Sequence, residues 1–183
     1  VPPTQTCCGQ PAFNAGYVED ARALARHTLD VLSASSDPIV IPSGSCGDMV
    51  IHQYERLFAD DPVYGPRARD VAHRTHEFTS FLVDVLGVTD VGARWDGTLT
   101  YHPSCHLSRG LGIDRQPRAL LAAVKGAHVV ELPHADECCG FGGIFSMEHP
   151  ELSAEWLKRK IKNLEDTHSP TLVVTDAGCL MHI

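Results

Sequence analysis

The sequence predicts an α/β protein built from two pseudo-repeated units, each with a short parallel sheet and each carrying a Cys-Cys-Gly triplet. Three observations lead there. Short apolar runs alternate with helix-periodic segments along the 183 residues, the pattern of parallel strands joined by crossover helices. Cys7-Cys8-Gly9 recurs as Cys138-Cys139-Gly140. A single cysteine then follows each pair at nearly the same distance, 38 residues from Cys8 to Cys46 and 40 from Cys139 to Cys179. Unrelated core cysteines have no reason to keep that register.

The elements follow in order. Tyr17 to Leu32 reads as a helix, with Val18, Ala21, Leu24, Ala25, Thr28 and Leu32 on one stripe. Ser33 to Asp37 breaks it, and Pro38 to Ser43 is a short buried strand. From Gly44 the chain turns into a second helix. Asp60 to Pro66 is a loop. Pro66 to Leu86 reads as one long helix, with Val71, Thr75, Phe78, Leu82 and Val85 along one side. Residues 87–97 connect it to a strand at Thr98 to His102. The grammar then repeats: a helix at Pro117 to Val124 with proline in its first turn, a strand at Ala127 to Leu132, a Cys138 to Gly143 loop, a helix at Pro150 to Leu164, and a strand at Thr171 running into a turn at Cys179.

Laid on each other, "IVIPSGSCGDM" from Ile39 matches "LVVTDAGCLMH" from Leu172 position by position. The units divide at 1–92 and 93–183. The second has one further cysteine, Cys105 in "HPSCHLSRG", 33 residues before Cys138. Its counterpart in the first unit would lie upstream of Val1, so the first unit is expected to lack its opening strand and cysteine.

Composition narrows the function. Fifteen Lys and Arg against 23 Asp and Glu give a formal net charge of −8, which removes the basic face that non-specific nucleic-acid binding requires. No apolar run approaches the roughly 20 residues of a membrane span, and no secretory leader is recognisable. The chain therefore reads as cytoplasmic, reaching a membrane only through partners. Seven cysteines without a secretory signature favour metal or redox chemistry over a disulfide framework.

Each cysteine sits at the carboxyl end of a predicted strand or in the loop after it, the edge where open α/β sheets collect ligands. Cys105, Cys138, Cys139 and Cys179 are therefore expected to converge. Four thiolates suit tetrahedral zinc or an iron–sulfur cluster. Zinc sites favour two tight knuckles, whereas adjacent cysteines fit a multinuclear centre in which neighbours reach different metal atoms. The glycines from Gly140 let backbone N–H groups approach such a centre, and the following helix turns its amino end towards it. Cys7, Cys8 and Cys46 form a second, incomplete set. Isolated cysteines are more often small buried hydrophobes, and "GFGG" lacks the lysine and spacing of a phosphate loop. His102, His106 and His182 flank the cysteines. His182, three residues after Cys179, is placed either to add a ligand or to hydrogen-bond the centre; taken singly, each reads as a solvated or core-capping imidazole. Arg109 and Lys125 are candidate contacts for an anionic substrate or partner.

"TCCGQPAFNAG", "IPSGSCGDM", "YHPSCHLSRGLG", "CCGFGGIFS" and "TDAGCLMHI" together resemble the cysteine-rich CCG-domain family over nearly the whole chain. Within it they are similar to the lactate-utilisation A-type, glycolate oxidase iron–sulfur subunit-like branch, and more distantly to the B subunit of heterodisulfide reductase. The resemblance implies one or two [4Fe–4S] clusters, held by Cys105, Cys138, Cys139 and Cys179 and by Cys7, Cys8 and Cys46, with His106, His182 and Gly140 around them. It implies partners of the B and C lactate-utilisation types and an electron-carrying role in oxidising L-lactate to pyruvate. The heterodisulfide reductase pattern ends each domain in C-x-x-C; here Met49 and His182 stand at the last position, which favours electron relay over disulfide cleavage. A zinc-holding scaffold and a thiol–disulfide redox subunit are the alternatives.

Overall fold

The computed structural model describes residues 1–183. It is a mixed α/β structure with two small, wholly parallel sheets. In the first, β1 (Ile39–Ile41) pairs with β2 (Thr75–Glu77). In the second, β3 (Arg94–His102) lies between β4 (Lys125–Val130) and β5 (Leu172–Val174).

The chain opens with a one-turn helix, α1 (Gln10–Asn14), directly after the first cysteine pair, and α2 (Val18–Leu32) follows. Ala21, Ala25, Thr28 and Leu29 are its buried face, close to the stripe read from the sequence. After β1 the chain enters α3 (Gly44–Asp48), passes through a π-helical stretch at Met49–Gln53 and continues as α4 (Tyr54–Leu57). These elements pack with α5 (Tyr64–His73) around a cluster of twelve buried residues that includes Cys8, Leu29, Met49, Tyr54, Phe58 and Val71. The helix α5 starts inside the expected loop because the Asp61 carboxylate accepts the N–H groups of Val63 and Tyr64, at 2.9 and 2.8 Å. A carboxylate at that position supplies what a helix amino end lacks.

The single long helix expected from Pro66 to Leu86 is not formed. It ends at His73, β2 intervenes, and α6 (Phe78–Ser80) then runs into a π-helical stretch at Phe81–Val85. Two contacts account for the break. The Ile39 N–H donates to the Arg74 carbonyl at 2.8 Å, drawing the chain into the sheet. Buried Glu77 then caps a fresh helix, accepting from the N–H groups of Thr79 and Ser80 at 2.8 and 3.1 Å. Apolar residues kept helical spacing across the strand, so periodicity alone concealed it.

In the second unit α7 (Arg115–Ala122) and α9 (Pro150–Glu165) accompany β4 and β5, with α8 (Phe145–Glu148) and α10 (Ala177–His182) as short helices beside the cysteines. The strand β3 starts four residues earlier than the sequence suggested; its first four residues are exposed and its last four buried, so only the inner half carries a core pattern. No helix is long and apolar enough to cross a membrane.

The two units meet through their equivalent turns. The Gly44 N–H donates to the Thr175 carbonyl at 3.2 Å. Ser43 Oγ and the Ser45 N–H donate to Asp176 Oδ2 at 2.9 and 2.8 Å. Gly44 faces Ser104 and Leu107 so closely that a Cβ there would lie 2.7 Å from both side chains; no larger residue fits this crossing.

Candidate metal centre

Each parallel strand of the second sheet delivers one part of the site. β3 ends at His102, immediately before Pro103-Ser104-Cys105, and Cys105 opens a π-helical turn at His106–Gly110. Cys138 and Cys139 lie in the loop beyond β4, and Cys179 sits in α10 after β5. The two deepest sulfurs meet: Cys139 Sγ donates to Cys179 Sγ at 3.4 Å, and both residues are buried. Cys138 and Cys105, on the adjoining loops, are near enough to perturb the titration of these thiols and of each other.

The first unit repeats this geometry with three cysteines. Cys8 Sγ donates to Cys46 Sγ at 3.3 Å, and Cys7 lies close enough to Cys8 for each to shift the other's pKa. The Gly9 N–H points to Cys7 Sγ at 3.4 Å, as the Gly140 N–H does to Cys138 Sγ at 3.4 Å. Both glycines hold a left-handed backbone, φ 88° and 96°, which turns the N–H back on to the sulfur and brings the loop against the next helix. A Cβ on Gly140 would stand 2.6 Å from the Ser153 carbonyl oxygen, so only glycine is accommodated.

Protons alternate along each row of sulfurs. The hydrogen bond from Cys105, then that from Cys139, pulls the Cys138 thiol down to about 2. The bond from Cys139 lowers Cys179 to about 6, with His102 adding to the effect. Cys105 and Cys139 are pushed up as the proton donors of those bonds, Cys105 chiefly by Cys138 and Cys139 chiefly by Cys138 and then Cys179. In the first unit the bond from Cys8 lowers Cys7 to about 6 and also lowers Cys46, while Cys8 itself is raised. Each set thus favours thiolate at some positions next to thiols that must give up protons when a cation arrives.

The surroundings favour negative sulfur. Arg109 acts on Cys138 and Cys105 as an attractive charge, and its Nη1 donates to the Asp136 carbonyl at 2.6 Å. Lys160 is fully buried on α9; its Nζ donates to the His134 and Ala135 carbonyls at 3.1 and 3.4 Å. Burial lowers its pKa, against the opposing pull of Glu137 and then Cys139. His106 joins the units. The Gln10 amide donates to its Nε2 at 3.2 Å, which leaves the ring proton on Nδ1, 3.5 Å from Cys105 Sγ.

His182 stands off from the sulfurs: its Nε2 pairs with Ser153 Oγ at 3.2 Å, and Ser153 donates to the Gly140 carbonyl at 2.8 Å. It therefore braces the cysteine loop rather than reaching the centre. Met49, its counterpart in the first unit, is wholly buried in the core. Lys125 is exposed in β4, away from the cysteine loops. Three residues near the centre were not singled out as site residues by sequence reasoning. Lys160 looks like any lysine on an amphipathic helix. Asp176, which caps α10 through the Gly178 N–H at 3.0 Å and also binds Ser43 and Ser45, had only the weak signal of an acid just before a helix. His102 was noted beside the cysteines but read as packing; it is 1 % exposed, and one of its nitrogens lies within 4.8 Å of the Cys139 and Cys179 sulfurs.

Fold and site together define a protein of two cysteine-rich α/β units, each gathering thiols at the carboxyl edge of a parallel sheet. The chain belongs to the cysteine-rich CCG-domain family, whose model matches residues 1–51 and 99–183. It is similar along its whole length to proteins named lactate utilization protein A. That of Oceanobacillus iheyensis is 47 % identical over 182 residues, covering 100 % of this chain and 74 % of the relative. Lactate utilization protein A 1 of Bacillus mycoides is 45 % identical over 183 residues, again covering 100 % and 74 %, and the Shouchella clausii protein is 46 % identical over 182 residues, covering 100 % and 75 %.

Proposed function

We propose that this chain is an iron–sulfur electron-transfer subunit of a complex that oxidises L-lactate, a 2-hydroxy acid, to pyruvate, and that it is not a complete enzyme by itself. One observation carries the reading: the sulfurs of Cys139 and Cys179, 40 residues apart in the chain, meet at 3.4 Å at the buried edge of the sheet, with Cys138 and Cys105 acting on them from the adjoining loops. The donor set suits an iron–sulfur centre. Four thiol sulfurs, a Gly140 N–H aimed at one of them, and the Arg109 and Lys160 cations answer the needs of such a group for thiolates, N–H donors and offset charge. Cys105, Cys138, Cys139 and Cys179 would hold one [4Fe–4S] cluster, and Cys7, Cys8 and Cys46 are three ligands towards a second. A bound cluster supplies the capacity to take up and release one electron at a time.

The chain's own residues do the rest. Gly140 and His106 hydrogen-bond the sulfurs, Lys160 fixes the loop that carries Cys138 and Cys139, and the buried strand ends keep water from the deeper thiols. Exposed Met147, Leu180 and Met181 sit on the short helices beside the second centre. Apolar side chains at such an edge support docking of partner subunits of the B and C lactate-utilisation types, in the cytoplasm. The relatives' shared name supports the substrate.

A second reading rests on a distance. Sulfurs 3.4 Å apart are near the separation of about 3.8 Å that two ligands of a single tetrahedral ion with Zn–S bonds of about 2.3 Å would keep, so a zinc-holding scaffold subunit is the competing function. Disulfide reduction by a five-cysteine centre has less support, since Met49 is in the core and His182 is engaged by Ser153. Purification without oxygen, iron and acid-labile sulfide analysis, and paramagnetic resonance of the reduced protein decide between them. Four irons and four sulfides per second centre, with a reducible signal, are expected; zinc without sulfide would replace this reading with the scaffold.

A further inference from the structure

His102 is the last residue of β3, and its backbone is fixed by pairing with Val174 of β5. The side chain is 1 % exposed, and neither ring nitrogen makes a hydrogen bond of ordinary geometry, although the ring is close enough to the Cys179 thiol to lower its pKa. Among the other side chains of the protein only Gln5 leaves a buried polar atom in that condition. A buried imidazole without a partner is costly, because water has been stripped from two polar atoms and nothing has replaced it. Such a group calls for an explanation, and its position supplies one. A ring nitrogen and the sulfurs of Cys139 and Cys179 all lie within 4.8 Å of one another. Metal–nitrogen and metal–sulfur bonds of about 2.1 and 2.3 Å place the nitrogen and sulfur ligands of one tetrahedral ion about 3.6 Å apart, so side-chain adjustments would bring all three to a single metal.

We propose that His102 is a ligand of the second centre: one of its ring nitrogens binds metal beside Cys139 and Cys179, giving that centre a mixed nitrogen–sulfur donor set. This rests on the reading that the second centre holds metal, but not on that metal being iron. The bond uses the lone pair of a neutral ring, so it releases no proton and changes no oxidation state. It adds a donor without adding negative charge, and a centre with imidazole in place of a further thiolate has a higher reduction potential.

The test uses the full-length chain. Metal-free wild type, His102→Leu and His102→Cys are titrated with Zn²⁺ against a chromophoric chelator, and Co²⁺ loading is followed by ligand-field absorption. His102→Leu should weaken the tight class of Zn²⁺ sites by more than the roughly 10–100-fold typical of residues that only support ligands, and His102→Cys should restore most of it while shifting the Co²⁺ bands towards an all-sulfur set. The metal-free His102→Leu protein should melt no lower than wild type, since it removes two orphaned nitrogens; a purely structural histidine would give the opposite pair of results. Unchanged Zn²⁺ affinity and Co²⁺ bands in His102→Leu overturn the proposal. Should that variant not fold, wild type labelled with ¹⁵N-histidine and loaded with Co²⁺ decides by pulsed paramagnetic resonance: a directly bound histidine nitrogen supports the assignment and its absence overturns it. Failure to find iron and sulfide would sink the electron-transfer reading while leaving these Zn²⁺ and Co²⁺ results in force.

Discussion

Asp176→Ala tests how the two units are joined. The Asp176 carboxylate is 7 % exposed and serves both cysteine-bearing turns: Oδ1 accepts the Gly178 N–H within its own helix, and Oδ2 accepts the Ser45 N–H and the Ser43 hydroxyl of the other unit. Loss of the cap costs about 1 kcal/mol. Leaving the Ser45 N–H and the Ser43 hydroxyl without an acceptor at a closed interface costs about 1–2 kcal/mol more for the pair, since the hydroxyl can turn to Ser45 Oγ at 3.3 Å. The total is about 2–3 kcal/mol, a large share of the ~5–15 kcal/mol that holds a typical domain. Asp176→Asn keeps an acceptor oxygen for only one of the two turns and turns an NH2 towards the other, so it should recover only part of the loss. The assay is urea unfolding of metal-free protein in reductant. Both tryptophans, Trp95 and Trp156, lie in the second unit, so their fluorescence set beside circular dichroism also shows whether the units separate. Asp176→Ala within about 0.5 kcal/mol of wild type would refute this account of the interface.

Acid supplies a second check on the same residue. Burial raises the Asp176 pKa, but hydrogen bonds from Ser45, Ser43 and Gly178 outweigh it and the net shift is downward. A carboxyl lowered in the fold contributes stability that is present above its unfolded pKa of about 3.9 and is lost as pH falls through the folded value. The gap between wild type and Asp176→Asn should therefore hold steady from pH 7 to 5 and close only in stronger acid; a gap that widens on acidification contradicts the assignment.

Other outcomes follow from the same geometry. Gly140→Ala puts a Cβ 2.6 Å from the Ser153 carbonyl oxygen on a left-handed backbone, whereas at Gly9 the nearest atom is 3.1 Å away; the backbone strain of about 1–2 kcal/mol is common to both, so thermal melting should show Gly140→Ala as the more damaging. Cys179→Ser should abolish metal at the second centre while Cys46→Ser spares it, as measured by metal and sulfide content per chain; equal loss from both would contradict two separate centres. Zn²⁺ affinity should rise with pH, because Cys8, Cys105 and Cys139 have raised pKa values in the metal-free protein and must lose protons to bind. Chelator competition at two pH values in the neutral range measures this, and an affinity that falls with pH would count against thiolate ligation.

The sequence by itself determined the two-unit α/β plan and the approximate place of four of the five strands. These are properties of spacing and of short-range pattern, and a repeated register survives without knowledge of any contact. It did not reveal β2, because Thr75 to Glu77 keep helical spacing and become a strand only when Ile39 draws Arg74 to it. Nor did it single out Asp176 as the shared cap, Lys160 beneath the cysteine loop or His102 beside the sulfurs. Each is an ordinary residue in its own segment. What gives it a role is burial together with a partner more than twenty residues away, and only the tertiary structure decides which side chains lose water and what, if anything, takes its place.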